Sequence, residues 1–233
     1  MQEIRKIVAI LAVATALATG AQAQVISNWT FENVAVGTGS GTDFSYGGAD
    51  SGALVAGSAA SGHHASASTA WTFPQGTGGA GRALSANNWA AGDYFQFSLS
   101  TVGFQNINVS FSQLGSSTGP ANYQFSYSTD GTNFTNFGSQ ITLTSMSAFQ
   151  TNSFNLSIVT GLNNAATIYF RIVDVSTVAI GGGTVGTTGT GRIDDFTVTA
   201  TPIPEPATYM LFGMGLLVCA QQFRRRRAAS NNK

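Results

Sequence analysis

The chain has 233 residues, a formal net charge of zero and a charged fraction of only 9%. That balance hides a difference between the ends and the middle. Residues 24–201 contain three arginines, eight acidic residues and no lysine, which gives a net charge of −5 with histidine neutral. An acidic, lysine-free domain has no basic patch for phosphates, so nucleic-acid binding is disfavoured. The single cysteine, Cys219, lies outside this stretch, so the stretch cannot form a disulfide.

The N-terminus has the three parts of a secretory signal peptide. Arg5 and Lys6 are positively charged, residues 7–18 are almost wholly apolar, and residues 21–23 (Ala-Gln-Ala) fit the small-x-small rule for cleavage. The alternative is a retained N-terminal membrane helix, which the short apolar run and the cleavage site disfavour. We therefore expect residues 1–23 to be removed and the rest to be exported.

Residues 24–201 are predicted to form one all-β domain, because side chains alternate between apolar and polar along the chain. Phe95, Phe97 and Leu99 illustrate the pattern, and no window carries a helical stripe. The predicted strands are residues 25–31, 67–73, 94–99, 107–113, 123–128, 134–138, 140–143, 153–158, 168–173 and 192–199. Short strands separated by Gly, Asn and Ser are typical of an antiparallel β-sandwich.

The connections between these strands also have sequence signals. Asp130-Gly131 predicts a hairpin, because Asp and Gly tolerate the positive φ that tight hairpins need. Residues 180–191 are rich in Gly and Thr and are predicted to form a flexible loop before the last strand. Residues 37–62 form a second low-complexity stretch, predicted as loop with a weak strand at 53–56.

Three segments of this domain resemble parts of jelly-roll domains and, more loosely, of carbohydrate-binding modules. They are Trp-Thr-Phe-Glu at 29–32, Tyr-Ser-Thr-Asp-Gly-Thr-Asn-Phe at 127–134 and Arg-Ile-Asp-Asp-Phe at 192–196. The resemblance implies a jelly-roll-like β-sandwich whose first and last strands lie close together.

The same resemblance implies a structural calcium site. In several carbohydrate-binding families an early glutamate and a late aspartate hold Ca²⁺, which here corresponds to Glu32 with Asp194 or Asp195. Hard cations take several oxygen ligands, and neighbouring carboxylates supply the charge. The alternative is that Asp194 pairs with Arg192 or Arg171 while Asp195 faces solvent.

Exposed aromatic side chains could stack on sugar rings. Trp29 and Trp71 alternate with phenylalanines at strand spacing and are predicted to be core residues. Trp89 lies in a polar loop and is the best candidate to face outwards, and Trp89 and Tyr46 are the candidate sugar-contacting residues. If both rings are buried, a structural role for the domain gains support over sugar binding.

Catalytic motifs give little support for an enzyme. Residues 115–119 match G-x-S-x-G, but that motif requires a strand running into a helix, and a proline and another strand follow here. Residues 76–81 match G-x-G-x-x-G without the helix that would bind phosphate. His63 and His64 are the only histidines, and adjacent side chains point apart on an extended chain. We predict no enzymatic activity; a hydrolase would need one histidine beside a carboxylate and a hydroxyl in a cleft.

The C-terminus has a three-part organisation. An apolar segment runs from residue 207 to about residue 220, and a helix over residues 207–223 would span about 26 Å, just short of a bilayer core of about 30 Å. The prolines before this segment block helix formation upstream of it, and the arginines after it would stay on the cytoplasmic side. A short polar tail, residues 228–233, closes the chain. The residues that define the pattern are Pro204, Glu205, Pro206, Arg224, Arg225, Arg226 and Arg227.

This order resembles the PEP-CTERM sorting domain of Gram-negative bacteria, over residues 202–227. The resemblance implies an exported protein that is held in the cytoplasmic membrane by a transmembrane helix until an exosortase, its processing partner, cuts near the motif. The alternative is an ordinary C-terminal membrane anchor. Two functions follow for the domain: a non-enzymatic surface or matrix protein associated with extracellular polysaccharide, or a carbohydrate-binding module.

Overall fold

The computed structural model describes residues 21–33, 35–79 and 81–204, together with residues 213, 215, 218–222 and 224. Most of the predicted signal peptide lies outside the described residues. Residues 23–201 form a compact unit, which we call the body. Its buried hydrophobic residues run from Ile26 to Ala200, so the body carries its own core.

The described residues form fourteen β-strands in two antiparallel sheets of seven strands each. Sheet 1 contains β1 (Gln24–Trp29), β2 (Gly39–Ser40), β5 (Ala70–Thr72), β6 (Leu84–Ala86), β8 (Phe104–Gly115), β12 (Gln150–Asn155) and β14 (Gly191–Pro202). Sheet 2 contains β3 (Asp43–Gly47), β4 (Ala59–His63), β7 (Tyr94–Leu99), β9 (Asn122–Ser128), β10 (Thr135–Asn136), β11 (Ile141–Thr142) and β13 (Ile168–Asp174). Two short 3₁₀ turns cover Thr77–Gly79 and Thr160–Leu162. The all-β prediction is confirmed.

The first and last strands of the body are neighbours. β1 pairs antiparallel with β14, and Trp29 lies opposite Phe196 in the register. A register shift between Val25 and Ser27 marks a bulge in β1. The expectation that the chain ends of the sandwich come together is therefore confirmed.

Aromatic side chains fill the space between the two sheets. Phe97 of sheet 2 stacks on Phe196 of sheet 1 with ring centroids 3.6 Å apart, and Trp29 meets Phe97 edge-on at 5.2 Å. Trp29 and Trp71 are fully buried, as predicted. Each such side chain contributes roughly 1.5–3 kcal/mol through removal of its apolar surface from water. The alternating pattern of the sequence thus produces a continuous aromatic core.

The prediction for residues 37–62 is wrong. Residues 53–56 form no strand, while β2, β3 and most of β4 lie in the stretch predicted as loop. The strand predicted at residues 53–56 is replaced by two isolated backbone hydrogen bonds. Ala53 N–H and Leu54 N–H donate to the carbonyls of Val25 and Ile26. This segment follows β1 through isolated bonds instead of a regular ladder.

The Asp130-Gly131 turn is confirmed as the connection between β9 and β10. Gly131 has φ +75°, which a glycine adopts without steric cost. The Asp130 carboxylate accepts hydrogen bonds from the backbone N–H groups of Thr132 and Asn133, each at 2.8 Å. Bonds from the Asn133 side chain and from these N–H groups hold the pKa of Asp130 below its usual range. The motif is a structural turn.

In the C-terminal tail, residues 213, 215, 218–222 and 224 are helical. Among the described residues, none of the helices combines the length and the apolar character needed to cross a membrane. Glu205, Pro206 and most of the predicted membrane segment lie outside the described residues.

Candidate functional site

The outward face of sheet 2 carries a groove of about 420 Å³, which we call the sheet-2 groove. Its side chains lie in two rows set by strand register. Asp43, His63 and Tyr94 are opposite one another on β3, β4 and β7. The second row consists of Ser45, Ser61 and Gln96 on the same three strands. Alternation along each strand therefore places six side chains with polar atoms on one solvent-facing surface.

Asp43 and His63 form an exposed pair at one end of this groove. The His63 Nδ1 atom lies 2.7 Å from the Asp43 Oδ1 atom, with 46% and 73% of the respective side chains exposed. The hydrogen bond from His63, aided by one from the Thr42 hydroxyl, lowers the pKa of Asp43. The pair offers a carboxylate and an imidazole to a ligand with hydroxyl groups.

A cation in contact with two aromatic rings lies beside the groove, on β13, which pairs with β7. The Arg171 guanidinium lies 3.9 Å from the Tyr94 ring centroid and 3.8 Å from that of Phe134. Its Nε–H donates to the Gln96 Oε1 atom at 2.8 Å. Because Arg171 fixes both Tyr94 and Gln96, these groove side chains are held in place before any ligand binds.

The requirement for a hydrolase is met only in part. His63 has a carboxylate beside it and shares the groove with the hydroxyls of Ser45 and Ser61. Within the described residues, however, no hydrogen bond joins His63 to either serine. The G-x-S-x-G match at 115–119 joins β8 to β9 without a helix, as the sequence predicted.

The predicted exposure of Trp89 and Tyr46 is wrong. Trp89 is 6% exposed; its ring meets Phe95 and Tyr123 edge-on, and its Nε1–H donates to the Ala86 carbonyl at 2.8 Å. Tyr46 is 5% exposed, and its hydroxyl donates to the Asp50 carboxylate at 2.6 Å. Burial raises the pKa of Tyr46. Neither ring offers a free face for a sugar, because the polar loop around Trp89 folds its ring into the core. By the criterion drawn from the sequence, this burial favours a structural role for the domain over sugar binding at these two rings.

Glu32 and Asp194 are both attached to the loop that follows β5. The Glu32 Oε1 atom accepts a hydrogen bond from the backbone N–H of Arg82 at 2.7 Å. The Asp194 Oδ2 atom accepts one from the backbone N–H of Thr77, also at 2.7 Å. The other Asp194 oxygen accepts the Asp195 N–H, and Asp195 has φ +50°. Among the described residues, no three acidic, histidine or cysteine side chains come together as a metal-binding group. Two of the three carboxylates, those of Glu32 and Asp194, instead hold the loop after β5 by its N–H groups.

Asp194 also forms no ion pair with Arg192 or Arg171, the alternative partners predicted from the sequence, among the described residues. Arg171 is stacked on sheet 2, and the Nε atom of Arg192 is buried without a hydrogen-bond partner among the described residues. The ion pairs of the described residues are His63–Asp43 and His64–Asp93. Asp194 thus bonds backbone groups, and burial raises its pKa.

A second polar cluster is fully enclosed by the core. The His64 Nδ1 atom lies 3.4 Å from the Asp93 Oδ2 atom, and the imidazole packs on Trp89 with centroids 4.3 Å apart. Asp174 is the last residue of β13; its N–H donates to the Asp93 carbonyl at 2.8 Å, and its Oδ2 atom is buried without a partner among the described residues. Burial lowers the pKa of His64 to about 4 and raises that of Asp174 to about 6. His63 and His64 point apart, as predicted.

Sequence reasoning missed most of the sheet-2 groove. Asp43 and Ser45 lie in the stretch predicted as loop, although Asp43-Phe44-Ser45-Tyr46 alternates polar and aromatic residues as a strand does. That alternation was the available signal. The pairing of β3 with β4 and β7, which completes the groove, depends on long-range contacts.

The C-terminal tail matches a known protein family. Residues 202–227 match the PEP-CTERM protein-sorting motif. The predicted sorting motif is confirmed. A PEP-CTERM motif implies an exported protein that is anchored in the membrane before sorting and is processed by an exosortase.

No curated protein matches the chain. Among solved structures, the body is similar to CBM35 from Paenibacillus barcinonensis, with 17% identity, a TM-score of 0.38, and coverage of 75% of this chain and 99% of that chain. It is also similar to the CBM22-1–GH10 modules of Clostridium thermocellum xylanase 10B complexed with xylohexaose, with 13% identity, a TM-score of 0.43, and coverage of 78% and 29%. TmCBM61 in complex with β-1,4-galactotriose has 12% identity and a TM-score of 0.36, with coverage of 61% and 88%. At such low identities and scores, these likenesses carry no inference about a ligand.

Proposed function

We propose that the body is a non-enzymatic polysaccharide-binding domain that acts at the cell surface or in the extracellular matrix after sorting. The observation that carries this proposal is the sheet-2 groove, where the Asp43–His63 pair and the Gln96 amide lie beside the Tyr94 ring. Sugars present several hydroxyls together with apolar C–H faces. A surface that combines hydrogen-bonding groups with an aromatic ring suits both features.

The arrangement of the groove supports a polymer more than a small solute. It crosses three adjacent strands on an open sheet face, and its side chains follow the strand register. An extended chain can lie across such a face and contact successive rows. The acidic, lysine-free body also disfavours nucleic acids as the polymer.

Binding to a panel of immobilised polysaccharides tests the proposal. Residues 24–201 should be retained by at least one of cellulose, xylan, galactan or the exopolysaccharide of the native host. Y94A/Q96A should weaken that retention at least tenfold, because it removes the ring and the amide together. Y169A is the matched control, since Tyr169 lies on the same face of sheet 2 but outside the groove.

Melting temperatures of both variants should be compared with that of the unaltered body, since Arg171 loses two partners in Y94A/Q96A. Retention by none of the polysaccharides, or undiminished retention of a folded Y94A/Q96A body, would overturn the proposal.

A hydrolase is the second candidate, favoured by the Asp43–His63 pair in a groove that also holds Ser45 and Ser61. Labelling with a fluorophosphonate probe decides between the candidates. A hydrolase should be labelled at Ser45 or Ser61 and should lose the label in H63A, whereas a binding domain should take up no label.

A further inference from the structure

A second groove, of about 530 Å³, lies at one end of sheet 1, and we call it the Arg192 groove. Its walls are residues 75–79 on one side and residues 146–149 on the other, and Leu114 and Arg192 project into it from β8 and β14. Met146 is 52% exposed there. The groove thus combines apolar side chains with one cation.

Arg192 differs from the other two arginines of the body. The Arg82 guanidinium donates to two backbone carbonyls and lies 4.3 Å from the Phe73 ring centroid. Arg171 donates to Gln96 and is stacked between two rings. The Arg192 Nε atom, in contrast, is buried and has no hydrogen-bond partner among the described residues. Within the described residues, no hydrogen bond or ion pair involves the Arg192 guanidinium.

No acidic side chain lines the Arg192 groove among the described residues. Arg192 is the one charged residue among the described residues that line the groove. The nearest acidic residue along β14, Asp194, directs its oxygens to backbone N–H groups. A cation is therefore left without an acid partner in a body of net charge −5.

A guanidinium forms its strongest hydrogen bonds when its planar N–H groups meet a planar, charged acceptor. A carboxylate has that shape and charge. The apolar side chains of Leu114 and Met146 would face the C–H surface of the ring that carries the carboxylate. A neutral sugar would leave the guanidinium without an anionic acceptor.

We propose that the Arg192 groove binds the carboxylate of an acidic sugar in an extracellular polysaccharide. This inference rests on the proposed polysaccharide-binding function and extends it to a chemical class of ligand. The two grooves lie on different sheets, so an acidic residue and a neutral stretch of polymer are recognised by separate sets of side chains.

The direct test is a titration of ¹⁵N-labelled body, residues 24–201, with D-galacturonate and, in parallel, with D-galactose. The body has three arginines, so its arginine Nε–H region contains three signals that R192Q and R82Q assign. Galacturonate should shift the Arg192 signal and galactose should not. An Arg192 signal that responds to neither sugar, or equally to both, would overturn the inference.

The polymer test separates this inference from the proposed function. Polygalacturonate should retain the body at low ionic strength, and R192Q should reduce retention at least tenfold, while R192K keeps part of it because it keeps the charge. Retention of neutral galactan or of another neutral polymer should depend on Tyr94 and Gln96 but not on Arg192.

If polygalacturonate fails to retain the body, or retains folded R192Q as well as the unaltered body, the Arg192 groove is not a carboxylate site. Neutral-polymer retention that is lost in Y94A/Q96A would then leave the proposed function standing. Loss of all retention by both kinds of polymer would overturn both.

Discussion

Phe97 and Phe196 stack face to face across the two sheets, with ring centroids 3.6 Å apart and ring planes 3° from parallel. Phe97 comes from β7 of sheet 2 and Phe196 from β14 of sheet 1, and both are fully buried. Because β14 also pairs with β1, this contact ties the first and last strands to the opposite sheet.

Replacing either ring should therefore be among the most destabilising changes in the body. F196A should lower the free energy of unfolding by about 3–5 kcal/mol, through lost burial and the cavity left behind. I158A is the matched control, since Ile158 is 80% exposed and its loss should change stability by less than about 0.5 kcal/mol. Urea unfolding of residues 24–201 measures both, and similar losses for the two variants would contradict this account of the core.

The enclosed cluster of His64, Asp93 and Asp174 should respond to pH through two opposing groups. His64 has a pKa of about 4 when folded and 6.5 when unfolded, so its contribution to stability is lost as the pH falls from 6.5 to 4. Asp174 has a pKa of about 6 when folded and 3.8 when unfolded, so its contribution rises as the pH falls from 6 to 3.8. Between about pH 4 and pH 6, His64 is protonated and Asp174 ionised in the unfolded chain, whereas the folded chain has the reverse. Folding therefore moves one proton from His64 to Asp174, and the opposite pH dependences of the two groups cancel.

Single substitutions should reveal separately how His64 and Asp174 make the free energy of unfolding depend on pH. D174N should lose stability on acidification from pH 6.5 to 4, whereas H64Q should gain it, each by about 3 kcal/mol at roughly 1.4 kcal/mol per pKa unit. The unaltered body should show little change from this pair. Urea unfolding at half-unit pH steps measures all three proteins, and slopes of the same sign in D174N and H64Q would rule out the proton exchange.

The sequence allowed prediction of the sandwich, because its main cause is local: alternation in β7, β8, β9 and β13 forms the core. The same reasoning correctly buried Trp29 and Trp71. It failed for Trp89, whose neighbours along the chain are polar. What buries that ring is its contact with Phe95 and Tyr123, and such tertiary contacts leave no periodic signal.

The candidate site was harder to predict for a similar reason. The Asp43–His63 pair joins residues on β3 and β4, and the groove exists only when β7 lies beside them. Arg192 has no acidic partner because Asp194 directs its oxygens to backbone N–H groups, which the order of residues in β14 does not determine. Spacing alone suggested an ion pair there.

Glu32 should stabilise the body by holding the loop after β5 rather than by binding calcium. E32A should lower the free energy of unfolding by about 1–2 kcal/mol, because the Arg82 N–H loses a charged acceptor. E32Q keeps an oxygen that can accept this bond and should lose less, which makes it the matched control. The melting temperature of the unaltered body should be the same in EDTA and in millimolar calcium. A melting temperature that rises with calcium and falls with EDTA would instead support the calcium site predicted from the sequence.

The sorting motif makes the last prediction. Deleting Arg224–Arg227 removes the charges that hold the tail on the cytoplasmic side, and replacing Pro204-Glu205-Pro206 with alanines removes the segment that gives the PEP-CTERM motif its name. Each change should leave the protein uncut in the cytoplasmic membrane of its native host. Deletion of residues 228–233, which lie outside the motif, is the control and should leave processing intact. Cell fractionation followed by mass spectrometry of the C-terminus measures the outcome. Delivery of either altered protein to the exterior with the same C-terminus as the unaltered protein would show that sorting does not depend on these residues.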